Sequence, residues 1–328
     1  MKKINHLDCT LRDGGYYNNW NFSKKFINEY LRSVHQAGIE YVELGFCQIK
    51  KDKKKGLSYN VDRNLIDNLK IPENLKIGVM INASDILFSN ISPQYFLKFI
   101  LKQNENKNRL SLLRIACHFN EINKIIPFLK ILKNSKLLIA INLMQITEKK
   151  ESEVKTIIKR LAKEKIHILY FADSLGSLKK NDVKKLITQI RKYCKFKVGF
   201  HAHDNMGKAK INTRFAIVND IDWFDTTIMG MGRGAGNAKT EDFILKNSKH
   251  IIDKLILKKF LKLKKVYNWG NNKYYNLSAR FKIHPTYVQE IIKKYKNLDS
   301  QIIKIIQLLK NQKSNNFDKN KLNRLLSK

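Results

Sequence analysis

The chain has 328 residues, 43% of them apolar, and a formal charge of +36 at pH 7. It is long enough for one large domain or two small ones, and apolar enough for a substantial core. No apolar run approaches the ~18 residues of a membrane span, the opening Met1-Lys2-Lys3-Ile4-Asn5-His6 lacks the apolar stretch of a secretory leader, and the four cysteines show no CxxC spacing, so a reduced, cytoplasmic protein without a disulfide framework is expected.

Runs rich in Ile, Val, Leu, Phe or Tyr predict strands over 4–11, 40–46, 75–82, 110–117, 136–144, 166–172, 196–203 and 223–230. Amphipathic stretches between them predict helices over 23–37, 61–69, 93–104, 120–133, 152–163, 179–193, 207–217 and 240–255. Ser23 and Asn181 are the expected N-caps, and Gly38 is placed to end the first helix. Strand and helix alternating eight times predict an α/β fold, a (β/α)8 TIM barrel over 1–250. A doubly wound open sheet also alternates. The count of eight, and polar motifs at strand C-terminal ends, favour the barrel. Beyond 250 the strands stop. Segments 252–266, 274–282, 285–296, 299–312 and 318–327 read as helices, so 251–328 is expected to be a Lys-rich helical extension that covers the barrel mouth or forms a homodimer contact.

The charge has two readings. A nucleic-acid or anionic-membrane partner is one. Compositional bias is the other: 53 of the 64 basic residues are Lys and only 11 are Arg, and the lysines are spread over helix faces and the tail. Nucleic-acid sites lean more on Arg forks with interleaved aromatics. The bias is the expected reading, with electrostatic steering of small anionic substrates as its by-product.

Three motifs carry the chemistry: Leu11-Arg12-Asp13-Gly14-Gly15 after the first strand, His201-Ala202-His203 on the seventh, and Gly234-Ala235-Gly236-Asn237 after the eighth. In a closed barrel strand 8 joins strand 1 and strand 7 lies beside it, so the three meet. His201 and His203 are two apart on a strand and point to one side. Two imidazoles, the Asp13 carboxylate and the Asn237 amide make a mixed O/N set for a divalent cation, better suited to Mn²⁺ or Mg²⁺ than to a closed zinc site. Arg12 either pairs with Glu43 at the end of strand 2, reaches an oxyanion in the pocket, or does both. Asp173 and Arg233, in the loops after strands 6 and 8, are further candidates for holding substrate or ligands. Asp173 reads equally as an ordinary turn residue.

The stretch Asp8-Cys9-Thr10-Leu11-Arg12-Asp13-Gly14, then His201-Ala202-His203-Asp204-Asn205, then Gly236-Asn237 followed by Thr240-Glu241-Asp242 resembles the DRE-TIM metallolyase (HMGL-like) superfamily over about 1–250. That superfamily includes HMG-CoA lyase, isopropylmalate and homocitrate synthases and class II 4-hydroxy-2-oxovalerate aldolases, and the chain looks most similar to the last. The resemblance implies Asp13, His201 and His203 as metal ligands, Asn237 as a fourth, and Arg12 as the residue that stabilises an enolate. It also implies a 2-oxo acid and an aldehyde as partners, with a second enzyme that handles the aldehyde. Tyr16 stands where the synthases carry Gln and the pyruvate aldolases a His base, and 230–237 lacks the cysteine of the lyase loop. Tyr16 is therefore expected to donate a hydrogen bond or wall the aldehyde pocket, with an activated phenolate at Tyr16 or Tyr17 as the alternative. Tyr275, or Tyr287, matches the catalytic tyrosine that those aldolases carry near the C-terminus. The expected activity is divalent-metal-dependent cleavage of a 4-hydroxy-2-oxo acid. The rivals are a Claisen-type acyl-CoA condensing enzyme and a non-enzymatic, polyanion-binding barrel.

Overall fold

A computed structural model describes residues 2–105, 109–164, 166–244, 251–296, 298–312 and 314–327. Eight parallel strands close into a barrel in chain order: β1 (Asn5–Asp8), β2 (Tyr41–Phe46), β3 (Lys76–Asn82), β4 (Leu110–Cys117), β5 (Leu138–Leu143), β6 (Ile168–Asp173), β7 (Lys197–Ala202) and β8 (Trp223–Thr226). Closure is made by β1 and β8, with Leu7 opposite Asp225. This is the expected TIM barrel with helices after it.

The helices around and between the strands are α1 (Thr10–Asn18), α2 (Lys24–Gln36), α3 (Arg63–Asp67), α4 (Ala83–Phe88), α5 (Pro93–Lys102), α6 (Ile122–Leu132), α7 (Glu151–Leu161), α8 (Lys180–Tyr193) and α9 (Ala209–Val218). The Ser23 side chain caps α2 as expected, and Gly38 follows it at φ 77°. Asn181 does not cap α8. Lys179 holds the cap position and Asn181 lies in the first turn, because the Asp182 carboxylate reaches back to the Lys179 amide. Of the helix expected over 240–255, Thr240–Asp242 is a single 3-10 turn and 245–250 lie outside the described residues.

Two ends of expected strands are corrected. The first strand stops at Asp8, and Thr10–Asn18 is helical. Asp8 Oδ1 accepts from both the amide and the hydroxyl of Thr10, which turns the chain into α1 directly after the barrel. The last strand stops at Thr226, because Ile228–Gly230 coils into a 3-10 turn with Met229 at φ 51°.

Inward-facing positions follow the period of two and fill the barrel in layers. Leu7, Tyr41, Leu112, Ile168, Tyr170 and Trp223 pack together at the base. One step further along the strands, Glu43, Arg114 and Asp225 form a fully buried charged layer. At the mouth, Trp20, Phe46, Met80 and Ala116 make an aromatic half, and the histidines of β7 occupy the other half.

Beyond the barrel come α10 (Lys254–Tyr267), α11 (Lys273–Arg280), α12 (Pro285–Tyr295), α13 (Asp299–Lys310) and α14 (Lys319–Leu326). Ile256 and Phe260 of α10 and the following Trp269 belong to the apolar core between strands and helices. A second core runs from Tyr274 to Leu322, and it includes Ala235 from the loop after β8. The extension therefore sits on that loop.

Candidate active site

The start of α1 places Arg12 and Asp13 in adjacent helical positions, about 100° apart, so both reach the mouth. On a strand they would have faced opposite sides. His201 lies on β7 and His203 one residue past its end. Their rings stand 5.0 Å apart and nearly perpendicular. The chain after the glycine loop then runs back antiparallel to β7, with His203 bridged to Asn237 and Ala238 N donating to Ala202 O. This return brings Asn237 beside Asp13: its Nδ2 donates to Asp13 Oδ2 at 2.5 Å.

The loop can pass this close only with glycine at two positions. A Cβ on Gly232 would lie 2.4 Å from Asn237 Nδ2 and 2.7 Å from Asp13 Oδ2. One on Gly236, at φ +82°, would lie 1.9 Å from the Gly230 carbonyl.

Asp13, His201 and His203 each turn a ligand atom into one space, all within 4.8 Å of one another and all buried. His201 Nδ1 bonds Asp225 Oδ2 at 2.9 Å. A carboxylate only accepts, so this partner puts a proton on Nδ1 and turns Nε2 toward Asp13 Oδ2, 3.9 Å away. Two donors sharing one ion at roughly 2.1 Å each lie at most about 4.2 Å apart, so this pair fits a common cation. Burial pushes Asp13 up, but Arg12 foremost, with the Asn237 bond, holds its carboxyl below the usual range, as an anion. Burial, with the positive field of Arg233 and Arg12, holds His203 well below the ordinary imidazole range despite Asp13, so it is neutral. Its Nδ1, and Asn237 Oδ1, are buried and have no hydrogen-bond partner among the described residues. An anion, the neutral His203, a His201 ring anchored on Asp225 and an orphaned amide oxygen suit a divalent ion.

Arg12 ties this cluster to the charged layer below it. Its Nε donates to Glu43 Oε2 at 2.7 Å and its Nη1 to Asp13 Oδ1 at 2.6 Å. Its Nη2 is buried and unbonded. Glu43 also accepts twice from Arg114, at 2.9 and 3.0 Å. Arg114 Nη1 reaches Asp225 Oδ2 at 2.5 Å, and Asp225 holds His201. The chain of bonds Asp13–Arg12–Glu43–Arg114–Asp225–His201 thus starts and ends at the cluster. Burial works against charge on Arg12, yet Asp13 and Glu43 raise its pKa and keep it ionised. Arg114 and Asp225 are the functional neighbours that pattern reading passes over. The signal was present: each interrupts an otherwise buried strand at an inward position, where an uncompensated charge is costly. Cys9, His201 and Asp225 also converge, but Asp225 is already shared by Arg114 and His201, so this trio supports His201.

The remaining candidates divide. Arg233 lies at the mouth, its guanidinium carbon 5.8 Å over the Tyr16 ring. Its Nη2 makes a 3.5 Å contact to Ser174 O, and its Nε is buried and unbonded. Tyr16 stacks edge-on against Trp20, and burial raises its phenol despite Arg233. Tyr17 donates to the Gly234 carbonyl at 2.5 Å and shares a bond with Tyr275. Tyr275 is buried behind the loop. Burial, then Tyr17, pushes its phenol well above the usual value. Tyr287 accepts from the Asp318 amide inside the extension. Asp173 turns away, its two oxygens capping the amides of Ser177 and Leu178 in its own turn.

A closed parallel barrel with converging carboxylate, imidazole and guanidinium groups at the C-terminal strand ends defines the protein as a TIM-barrel carbon–carbon lyase. It belongs to the HMGL-like family, whose model matches residues 103–269. Among curated proteins it is 26% identical over 239 residues to an oxaloacetate decarboxylase of Mycobacterium tuberculosis (72% of this chain, 67% of that protein). It is 28% identical over 247 residues to a 4-hydroxy-2-oxovalerate aldolase of Carboxydothermus hydrogenoformans (73% and 69%). The N-terminal domain of a proposed aldolase from Bacteroides vulgatus superposes with a TM-score of 0.77 at 29% identity, over 92% of this chain and 99% of that one. The carboxyl transferase domain of Rhizobium etli pyruvate carboxylase shares the fold, with a TM-score of 0.68 at 15% identity over 94% and 55%.

Proposed function

We propose that the protein is a divalent-metal-dependent lyase that breaks the C3–C4 bond of a 4-hydroxy-2-oxo acid and releases pyruvate. The observation that carries this reading is the unbonded Arg12 Nη2 held beside the Asp13, His201 and His203 cluster. Asp13, His201 and His203 would hold the ion, with Asn237 as a fourth ligand, and the oxygen-rich set favours Mn²⁺ or Mg²⁺. When bound, the metal would act as a Lewis acid on the 2-oxo acid's oxygens.

The protein's part follows from its donors. Transfer of the 4-hydroxyl proton to a base lets the electrons of that O–H bond form the aldehyde carbonyl, while the C3–C4 pair becomes the C2=C3 bond and the 2-keto π pair moves onto its oxygen. Negative charge grows on that oxygen only as the bond breaks. Arg12 is fixed by two carboxylates and keeps both N–H groups of Nη2 free, so it is organised before the charge develops. The enolate then takes a proton at C3. The two curated relatives support this class: decarboxylation of oxaloacetate and retro-aldol cleavage of 4-hydroxy-2-oxovalerate both break the C3–C4 bond of a 2-oxo acid and leave the same pyruvate enolate. Arg233 would hold a substrate carboxylate, and Tyr16 would donate to, or wall, the aldehyde side. The small 2-oxo acid and its aldehyde are the partners this chemistry requires.

The deciding assay is pyruvate release from 4-hydroxy-2-oxo acids after chelation and after return of Mn²⁺ or Mg²⁺. Metal-restored release supports the reading. Release that is unaffected by thorough chelation, or dependence on an acyl thioester, sinks it.

A further inference from the structure

A second chamber opens at the barrel mouth, between the loops after β4 and β5 and the C-terminal extension. Its volume is about 520 Å³, and His118, Met144, Gln145, Lys149, His284 and Asn316 line it. The extension is one of its walls by direct bonds. Gln145 Nε2 donates to Asn315 O of the extension at 2.6 Å, and within the extension His284 N donates to Ser314 O at 2.8 Å.

The chamber is coupled to the metal-ligand cluster through Ser174. The Ser174 carbonyl takes the Arg233 contact, while its hydroxyl accepts from the Gln145 amide at 3.3 Å. Arg233 follows Gly232, which packs on Asp13 and Asn237. The electrostatics carry the same geometry. His284 is held well below the ordinary imidazole range by burial first, and then by Arg233, His203 and His118. His118 is lowered by burial, and also by Arg233 and Lys149, against Glu121. Arg233 therefore lies between the cluster and the chamber, joined to the latter through Ser174.

The lining offers mostly donors. His284 Nδ1 accepts from the Thr286 amide, so its proton sits on Nε2 and that N–H is available. The Gln145 and Asn316 amides and the Lys149 ammonium add N–H groups, and the buried Arg233 Nε–H has no partner. The one carboxylate in the lining, Glu121, is turned onto the His118 amide at 2.8 Å. Lys149 makes a loose 3.6 Å pair with Glu153, outside the lining, and lies 5.6 Å over the Phe119 ring within it. A space with several donors, Lys149 in its lining, Arg233 beside it across Ser174 and one self-satisfied carboxylate favours an acceptor-rich, anionic guest.

We infer that this chamber is the subsite for the aldehyde-derived end of the substrate, and that this end carries a carboxylate. The inference rests on the 2-oxo-acid lyase reading and narrows its substrate class to 4-hydroxy-2-oxo dicarboxylates. Arg233 and Lys149 select them, and the extension completes the pocket.

The test compares two probes of equal carbon number on the full chain supplied with Mg²⁺. One is 2-oxoglutarate, with a terminal carboxylate; the other is 2-oxopentanoate, with a methyl end. By calorimetry the dicarboxylate is expected to bind about tenfold or more tightly, the worth of one charge-assisted contact. The ratio is expected to fall below about threefold in Lys149→Met and in His284→Asn, where Asn still caps α12. Equal affinities, no binding of either probe, or a ratio unmoved in both variants overturns the subsite. Pyruvate release is scored in parallel from the corresponding 4-hydroxy acids. Preference without release leaves the subsite standing and removes the lyase reading. Release without preference does the reverse.

Discussion

Arg12→Lys separates a catalytic arginine from a structural one. The substitution keeps the charge but replaces a planar fork with a point donor. Arg12 makes two buried bonds, to Glu43 and to Asp13, and leaves Nη2 free. Glu43 keeps both bonds from Arg114, and Asp13 keeps Asn237. Folding therefore loses about one charge-assisted bond, roughly 2 kcal/mol. For 328 residues, with about 2.1 cal/mol/K of unfolding entropy per residue, that is a Tm drop of about 3 °C. The chemical step loses the preorganised donor on the developing oxyanion, which costs on the order of 10²–10³ in kcat with KM within a few-fold. Arg114→Met is the comparator. It strips three bonds in the fully buried charged layer and leaves Asp225 without a cation and Glu43 to Arg12, for about 3–5 kcal/mol, or roughly 4–7 °C. The assay is kcat per folded molecule beside thermal unfolding. Normal kcat in Arg12→Lys with a Tm loss as large as that of Arg114→Met would refute the reasoning and make Arg12 a structural residue.

Three further outcomes are expected. Asp13→Ala and His201→Ala should each fail to retain a divalent ion and lose activity while keeping the wild-type circular dichroism; stoichiometric metal in both variants would contradict the ligand set. Burial raises the Tyr16 phenol, so Tyr16→Phe should lose less than about tenfold in kcat/KM, the worth of one neutral hydrogen bond, with an unchanged pH profile; near-total loss together with disappearance of a basic limb would make it the base. His6 stacks on Phe224 and bonds Thr226 Oγ1, and burial lowers it to about 3. A depressed histidine contributes stability above the unfolded pKa of about 6.5 and loses it as pH falls, so the protein should be up to about 2 kcal/mol less stable at pH 5 than at pH 7.5. Denaturant unfolding should show that difference shrinking in His6→Phe, and a pH-independent His6 contribution would refute it.

The barrel was legible because its evidence is local. Buried parallel strands read as continuous Ile, Val and Leu runs, and their count with helices between them constrains closure. The pair His201 and His203 was legible for the same reason, since the strand period puts both on one side. Asp13, Arg12 and Asn237 could be chosen by residue type, but their geometry could not. The Asp8–Thr10 bonds convert the expected strand end into α1 and let Arg12 and Asp13 face the mouth together. The antiparallel return at His203 and Asn237 brings the amide to the carboxylate. Tyr16 and Tyr275 were selected by position in the chain, whereas Arg233 over Tyr16 and Tyr17 against Tyr275 come from distant segments. Arg114 and Asp225 showed themselves as charges in apolar strands, but their partners Glu43 and His201 lie 71 and 24 residues away. Short-range periodicity fixes which elements form and which side of each is buried. Charge pairing across a closed barrel depends on contacts between residues far apart in the chain, and only the tertiary structure decides which donor meets which acceptor.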